Sequence, residues 1–172
     1  MNDKPGKERE VKFGDIVPGG KDSDSFYLVD VPGFGFAQVP EALRKEWMDF
    51  LSVYTSQRKS LRVAFHLIDS RHGASDDDAR IMNQMSRCLP KYVSYVIVLT
   101  KADKILKGST TALISANNSN LSVSRNIVDQ VRNTMKSQGV GNAPIVMTSA
   151  ETKLGRDVLW SYMRLAADGS TV

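Results

Sequence analysis

Three stretches of this chain put phosphate- or base-reading residues at or just after the ends of apolar runs: Asp30-Val31-Pro32-Gly33, Thr100-Lys101-Ala102-Asp103 and Thr148-Ser149-Ala150. An aspartate that closes a buried strand, with a glycine three residues on, suits a carboxylate holding a magnesium-bound water while the glycine amide approaches a terminal phosphate. Asp30 and Gly33 have that spacing, although Asp-Val-Pro-Gly is also an ordinary turn sequence. Asp103 offers a carboxylate that can accept two hydrogen bonds, from the N1–H and the exocyclic amino group of guanine, a donor pair adenine lacks. The stem of Lys101 would lie over base and ribose, and Thr100 would brace the loop. The alternative for this stretch is a solvated strand-to-helix loop, where lysine and aspartate are common. Thr148-Ser149-Ala150 fits a loop whose amides meet the guanine oxygen, its small residues permitting close approach. In this order the stretches are candidates for the back half of a guanine-nucleotide site. All their residues are candidate nucleotide-binding positions, Asp30 is the candidate water-mediated magnesium ligand, and no catalytic group can be assigned.

A phosphate-gripping front half is not legible. No G-x-x-x-x-G-K-[ST] motif precedes Asp30. Gly19-Gly20-Lys21 does not supply one, because the required first glycine is Asp15 and Lys21 is followed by Asp22.

The elements that must position these residues follow from the hydrophobic pattern. Val11-Lys12-Phe13 and Phe26-Tyr27-Leu28-Val29 are strand candidates around a hairpin-like loop from Gly14 to Ser25. A helix is expected to open near Pro40, with Leu43, Trp47, Phe50, Leu51 and Tyr54 on one core-facing stripe. Leu61 to Ile68 reads as a strand buried on both faces of a parallel sheet and ends at Asp69. Ser75 and Asp78 have capping-box spacing ahead of a helix carrying Ile81, Met82, Met85 and Leu89. A strand from Tyr92 to Leu99 delivers Thr100 to Asp103, and the polar stretch from Gly108 to Ser124 reads as a surface excursion. Ile127, Val131 and Met135 mark the next helix, Pro144 to Met147 the last strand, and Val158, Leu159, Tyr162, Leu165 and Ala166 the apolar face of a closing helix. Alternating strands and helices imply a parallel sheet whose ligand groups gather at the carboxyl ends of its strands. Arg71-His72 reads first as a loop contact and His66 as a residue of the core or its edge.

With 172 residues, 41% of them hydrophobic, one domain is expected, with residues 168–172 a frayed tail. The net charge of +4 and the basic Lys4, Lys7, Arg9 and Lys12 suit an RNA or ribosomal partner, or a solvated tail. The single Cys88 cannot form an internal disulfide, and no run of about 20 apolar residues is present to span a bilayer. A soluble intracellular protein is expected.

These residues resemble the EngB-type ribosome-biogenesis GTPases along nearly the whole chain. Lys4-Pro5-Gly6-Lys7 is similar to that family's switch I within residues 1–25, and the run from Tyr27 to Ala37 to its switch II. Asp69-Ser70-Arg71-His72-Gly73 with Asp77 and Asp78, Thr100-Lys101-Ala102-Asp103-Lys104, and the run from Ser149 to Gly155 complete the likeness. The resemblance implies an α/β fold of the P-loop GTPase type, a mostly parallel sheet flanked by helices, here without its first strand, phosphate loop and first helix. It implies binding of GTP or GDP with Mg2+, assistance to large ribosomal subunit assembly through a subunit precursor or rRNA, and a site in the bacterial cytoplasm or in a mitochondrion or plastid. In that fold the strand before the phosphate loop lies between the strands ending here at Asp30 and Asp69, so a gap in the sheet and impaired phosphate binding are expected, the chain being a fragment of a longer GTPase. The family's switch I threonine aligns with Glu8, and Phe34 follows the switch II glycine where many small GTPases keep a water-orienting glutamine. The rival expectation is a nucleotide-free pseudo-GTPase acting as a ribosome or RNA interaction module.

Overall fold

The computed structural model describes residues 12–16, 26–31, 41–106 and 119–168, with residues 12–16, 26, 27, 43 and 119–124 given as backbone alone. Two sheets form. Strands β1 (Lys12–Ile16) and β2 (Phe26–Asp30) pair antiparallel, with Lys12 opposite Asp30, so the expected hairpin carries its first strand on through Gly14 to Ile16. Strands β3 (Val63–Asp69), β4 (Ser94–Thr100) and β5 (Ile145–Met147) form a parallel sheet in the order β3-β4-β5.

The parallel sheet is covered on both faces. Helices α2 (Asp76–Cys88) and α4 (Ser119–Ser137) pack on one face, where Ile68, Met82, Ile97, Leu99, Val131 and Met135 form a closed core. Helix α5 (Arg156–Ala167) lies on the other, with Leu159 and Tyr162 against Val96, Val98, Val146, Val63 and Phe65. Each fully buried aliphatic side chain contributes about 1.5–3 kcal/mol relative to exposure. Helix α1 (Glu41–Gln57) packs on α2, and a single turn, α3 (Ala102–Ile105), follows β4. The sequence pattern did not mark α3, and α4 begins inside the stretch expected to be an irregular excursion.

Local chemistry explains the entry into α2. Ser75 Oγ accepts from the Asp78 N–H, and Asp78 in turn accepts from the Ser75 N–H at 2.8 Å, completing the expected capping box. Just before it, Gly73 adopts φ +70°, and a Cβ there would meet the Gln130 side chain, which bonds both the N–H and the carbonyl of Ala74 from α4.

Two expectations about burial need correction. Strand β3 is not buried on both faces: Leu67 is 63% exposed. It stands at the edge of its sheet, bonded to β4 alone among the described residues, and α5 covers Val63 and Phe65 but not Leu67. The α1 stripe is not uniformly core either. Phe50 is 43% exposed, stacked on Tyr54 and edge-on to Trp47, while Thr55 turns inward and its hydroxyl lies 3.3 Å from Cys88 Sγ.

His66 is more than core filler. It is buried, with Nε2 2.9 Å from Asp78 Oδ1 and Nδ1 2.6 Å from Tyr95 Oη. Asp78 can only accept while ionised, so Nε2 donates to it, and Nδ1 is within hydrogen-bonding distance of the Tyr95 hydroxyl. Burial raises the Asp78 carboxyl, and the bonds from His66 and Ser75 more than offset that, leaving it below the usual carboxylate value. The Tyr95 phenol is pushed well above its ordinary value, chiefly by burial and then by the charge of Asp78. His66→Leu strips a partner from both neighbours, and we expect a loss of about 1–3 kcal/mol, read as a lower urea midpoint at unchanged slope. A midpoint equal to that of the unmodified chain would refute the network's role.

Candidate nucleotide site

The carboxyl ends of β3, β4 and β5 are laced into one unit. Ser70 N–H donates to the Thr100 carbonyl at 3.0 Å, and Thr100 Oγ1 donates back to the Ile68 carbonyl at 3.2 Å. On the other side Ala102 N–H donates to the Thr148 carbonyl, and Thr148 N–H to the Leu99 carbonyl. Thr100 and Thr148 therefore brace the loops through their backbones as well as their hydroxyls. Ala102 is fully buried beneath the loop, so a larger side chain there would lift Asp103 from the sheet.

Lys101 makes the turn from β4 into α3 in the left-handed region, at φ 56° and ψ 33°. Such a conformation is uncommon for a side chain other than glycine or asparagine and marks a position over-determined by its surroundings. Its ammonium reaches across the sheet to Asp69 Oδ2 at 2.9 Å. Asp69 also takes the fork of Arg71, Nε and Nη2 at 2.9 and 2.7 Å, and the Arg71 backbone N–H. Arg71 thus serves Asp69, and His72 is exposed beside it.

The bond that joins the two base-reading stretches is Ser149 Oγ donating to Asp103 Oδ1 at 2.7 Å. Ser149 is buried, its hydroxyl also accepts from Thr152 N–H, and its own N–H donates to the Leu154 carbonyl. The Ser149 bond, and after it that of Lys104, holds the Asp103 carboxyl below the usual carboxylate value. Asp103 is consequently an ionised acceptor with a fixed rotamer. Ala150 is exposed next to it, and its N–H has no hydrogen-bond partner among the described residues. An anchored carboxylate and an adjacent free N–H match the donor and acceptor edge of guanine.

Arg71, with Lys101 after it, holds Asp69 far below the ordinary carboxylate range. Because the folded value is depressed, the stabilisation is complete above the unfolded value near 3.8 and is lost as pH falls through the folded one. An Asp69→Asn chain should therefore show a flatter loss of melting temperature between about pH 5 and 2 than the unmodified chain. Parallel acid profiles would contradict the assignment.

The remaining stretch is only partly placed. Asp30 closes β2 and is exposed, with no ion pair among the described residues, and Val31 follows it at the surface. Asp30 belongs to the antiparallel pair, Val31 lies just past its end, and β2 does not hydrogen-bond to the parallel sheet. Pro32, Gly33 and Phe34, like Glu8, Lys4-Pro5-Gly6-Lys7 and the 168–172 tail beyond Asp168, lie outside the described residues. The structure thus unites residues 100–103 with 148–150 and leaves Asp30 on a separate sheet.

Comparison with known proteins decides the family. The chain is 32% identical over 166 residues to a probable GTP-binding protein EngB of Levilactobacillus brevis, covering 96% of this chain and 71% of that protein. The chain belongs to the EngB family. Its EngB relatives also include proteins of Cereibacter sphaeroides, 33% identical over 90% of this chain and 61% of theirs, and Geobacillus kaustophilus, 31% identical over 93% and 69%. The chain thus spans roughly three fifths to seven tenths of the length of these EngB proteins. No family model matches it. Among solved structures, translation elongation factor SelB of Methanococcus maripaludis in its apo form aligns with a TM-score of 0.52 at 16% identity, over 91% of this chain and 30% of that one. That likeness supports the expected α/β GTPase-type fold with its parallel sheet.

Sequence reasoning missed Asp69 as the partner of Lys101 and Ser149 as the anchor of Asp103. The first had a signal, since Asp69 ends a strand as Asp30 does. The second, a contact over 46 positions, had none beyond the order of the motifs.

Proposed function

We propose that this chain binds GTP or GDP, with Asp103, Lys101 and Ala150 reading the guanine, and that it assists assembly of the large ribosomal subunit. The Ser149–Asp103 bond carries the proposal, because it joins two loops far apart in sequence and fixes the carboxylate a guanine reader needs. The names of the EngB relatives support guanine-nucleotide binding, and the family resemblance supports a partner in a subunit precursor or its rRNA. A bacterial cytoplasm or a bacterial-derived organelle suits that role. Among the described residues no helix is long and apolar enough to cross a membrane.

Among the described residues no group of three acidic, histidine or cysteine side chains could hold a metal. A nucleotide-borne Mg2+ needs no such cage, since it keeps several waters and takes one or two carboxylates plus substrate phosphates. Asp30, exposed and with no ion pair among the described residues, fits the water-mediated position, and the ion would screen phosphate charge there. A second reading is a pseudo-GTPase that keeps an interaction surface, for which the edge of β3, bonded to β4 alone among the described residues, is a candidate.

Titration of a fluorescent GDP analogue, with a labelled ADP control, into this chain and into the same chain carrying a restored phosphate-loop segment separates the two. Guanine-selective binding, tighter after restoration, is the expected result. No binding by either folded chain would favour the interaction module.

A further inference from the structure

The end of the parallel sheet opposite the candidate nucleotide site has an unusual charge. Helix α1 leads into β3, α2 into β4 and α4 into β5, so residues 57–62, 88–93 and 136–144 meet where the strands begin. The segments 50–68, 79–102 and 130–150 contain no aspartate or glutamate. At this end they present Arg58, Lys59, Arg62, Arg87, Lys91 and Lys136, none of them in an ion pair among the described residues. All but the half-buried Arg62 are exposed.

The loops are contiguous. Ser94 N–H donates to the Arg62 carbonyl at 2.8 Å, and a Cβ at Gly139 would lie 3.4 Å from Ser86, which sets the end of α4 beside the end of α2. Two aromatic rings are interleaved: the Arg62 guanidinium sits 5.9 Å from the centroid of Tyr92, and that of Arg58 5.8 Å from Tyr54. Tyr92 remains 41% exposed. Helix carboxyl termini favour nearby cations. That explains a cation or two per helix, but neither the exclusion of every carboxylate from three converging segments nor the exposed Tyr92 ring among the charges.

We propose that this end of the sheet binds single-stranded RNA, its cations contacting phosphates and Tyr92 offering a face on which a base stacks. The inference gives a surface to the RNA partner of the proposed function, and it does not depend on nucleotide, since the two sites lie at opposite ends of the strands. Interleaved cations and rings favour RNA over an acidic protein or a lipid surface, neither of which has bases to stack.

Fluorescence anisotropy with a labelled single-stranded RNA of mixed sequence, over a series of salt concentrations, tests it. The triple variant Arg58→Gln, Lys59→Gln, Lys91→Gln should bind at least tenfold more weakly and lower the slope of log K against log salt by about 2. Lys45→Gln, Arg125→Gln, Arg156→Gln removes the same charge elsewhere and should leave the slope unchanged. Tyr92→Leu should weaken binding about tenfold while keeping the slope. Equal slopes for the two triple variants, no RNA binding, or equally tight binding of polyglutamate or phosphatidylserine vesicles would each overturn the proposal. The substituted side chains are exposed, so a melting temperature close to that of the unmodified chain is expected. RNA binding without guanine-nucleotide binding would refute the nucleotide reading alone.

Discussion

Replacing Asp103 by alanine is expected to weaken guanine-nucleotide binding about a hundredfold or more while leaving any residual adenine-nucleotide binding unchanged. The carboxylate can accept two hydrogen bonds from guanine, each with a charged acceptor and worth about 1.5–3 kcal/mol. Losing both costs at least two factors of ten in affinity. Ser149→Ala should give a smaller, several-fold loss, because the carboxylate survives but its Oδ1 is no longer held by the serine hydroxyl at 2.7 Å. Competition between GDP and ADP for a fluorescent guanine nucleotide measures both. Equal losses of guanine and adenine binding in Asp103→Ala would show that the residue supports the loop without reading the base.

The second large effect is structural. Gly155 precedes α5 at φ +71°, and a Cβ there would run into the Met147 carbonyl oxygen and sit 3.0 Å from Thr148 Cγ2. An L-residue in this conformation costs about 1–2 kcal/mol before any clash, and here the obstacle is backbone that cannot swing aside. Gly155→Ala is therefore expected to destabilise the chain by roughly 2–4 kcal/mol against a typical total of about 5–15. It should also disturb guanine reading, because Leu154 immediately before it accepts the Ser149 N–H. Thermal and urea unfolding give the stability change. An unchanged midpoint would mean that the 147–155 loop relaxes freely.

What could be read from the sequence was local. The Ser75–Asp78 box, the helical spacing of Met82 and Met85 and the apolar run of β4 specify their elements within one or two turns, and each formed. The parallel arrangement followed from alternation, and the stretches after Leu99 and Met147 fell at the carboxyl ends of its strands, whereas Asp30 ends a strand of the separate antiparallel pair. What could not be read depends on neighbours. Leu67 looks like a core residue in the run 61–68 and is exposed on a strand at the edge of the described sheet; Phe50 has the right helical phase, yet among the described residues it stays 43% exposed. Residues 102–105 carry no periodic signal long enough to announce a helix, and the turn forms because Ala102 is tied to Thr148. The triad of buried His66 with half-buried Asp78 and Tyr95 spans three elements, so no window of the sequence contains it.

The site was legible as types and order, not as contacts. The acceptor role of Asp103 follows from its chemistry, but its fixed rotamer comes from Ser149, and the posture of Lys101 from Asp69.

The central claim is that residues 100–103 and 148–151 form one guanine-reading unit. Backbone amide chemical shifts of the isotope-labelled chain, followed during separate titrations with GDP and ADP, test it most directly. The account predicts saturable shifts at Lys101, Asp103, Ser149 and Ala150 with GDP and none there with ADP. Identical responses to the two nucleotides, or shifts confined to other parts of the sheet, would contradict it.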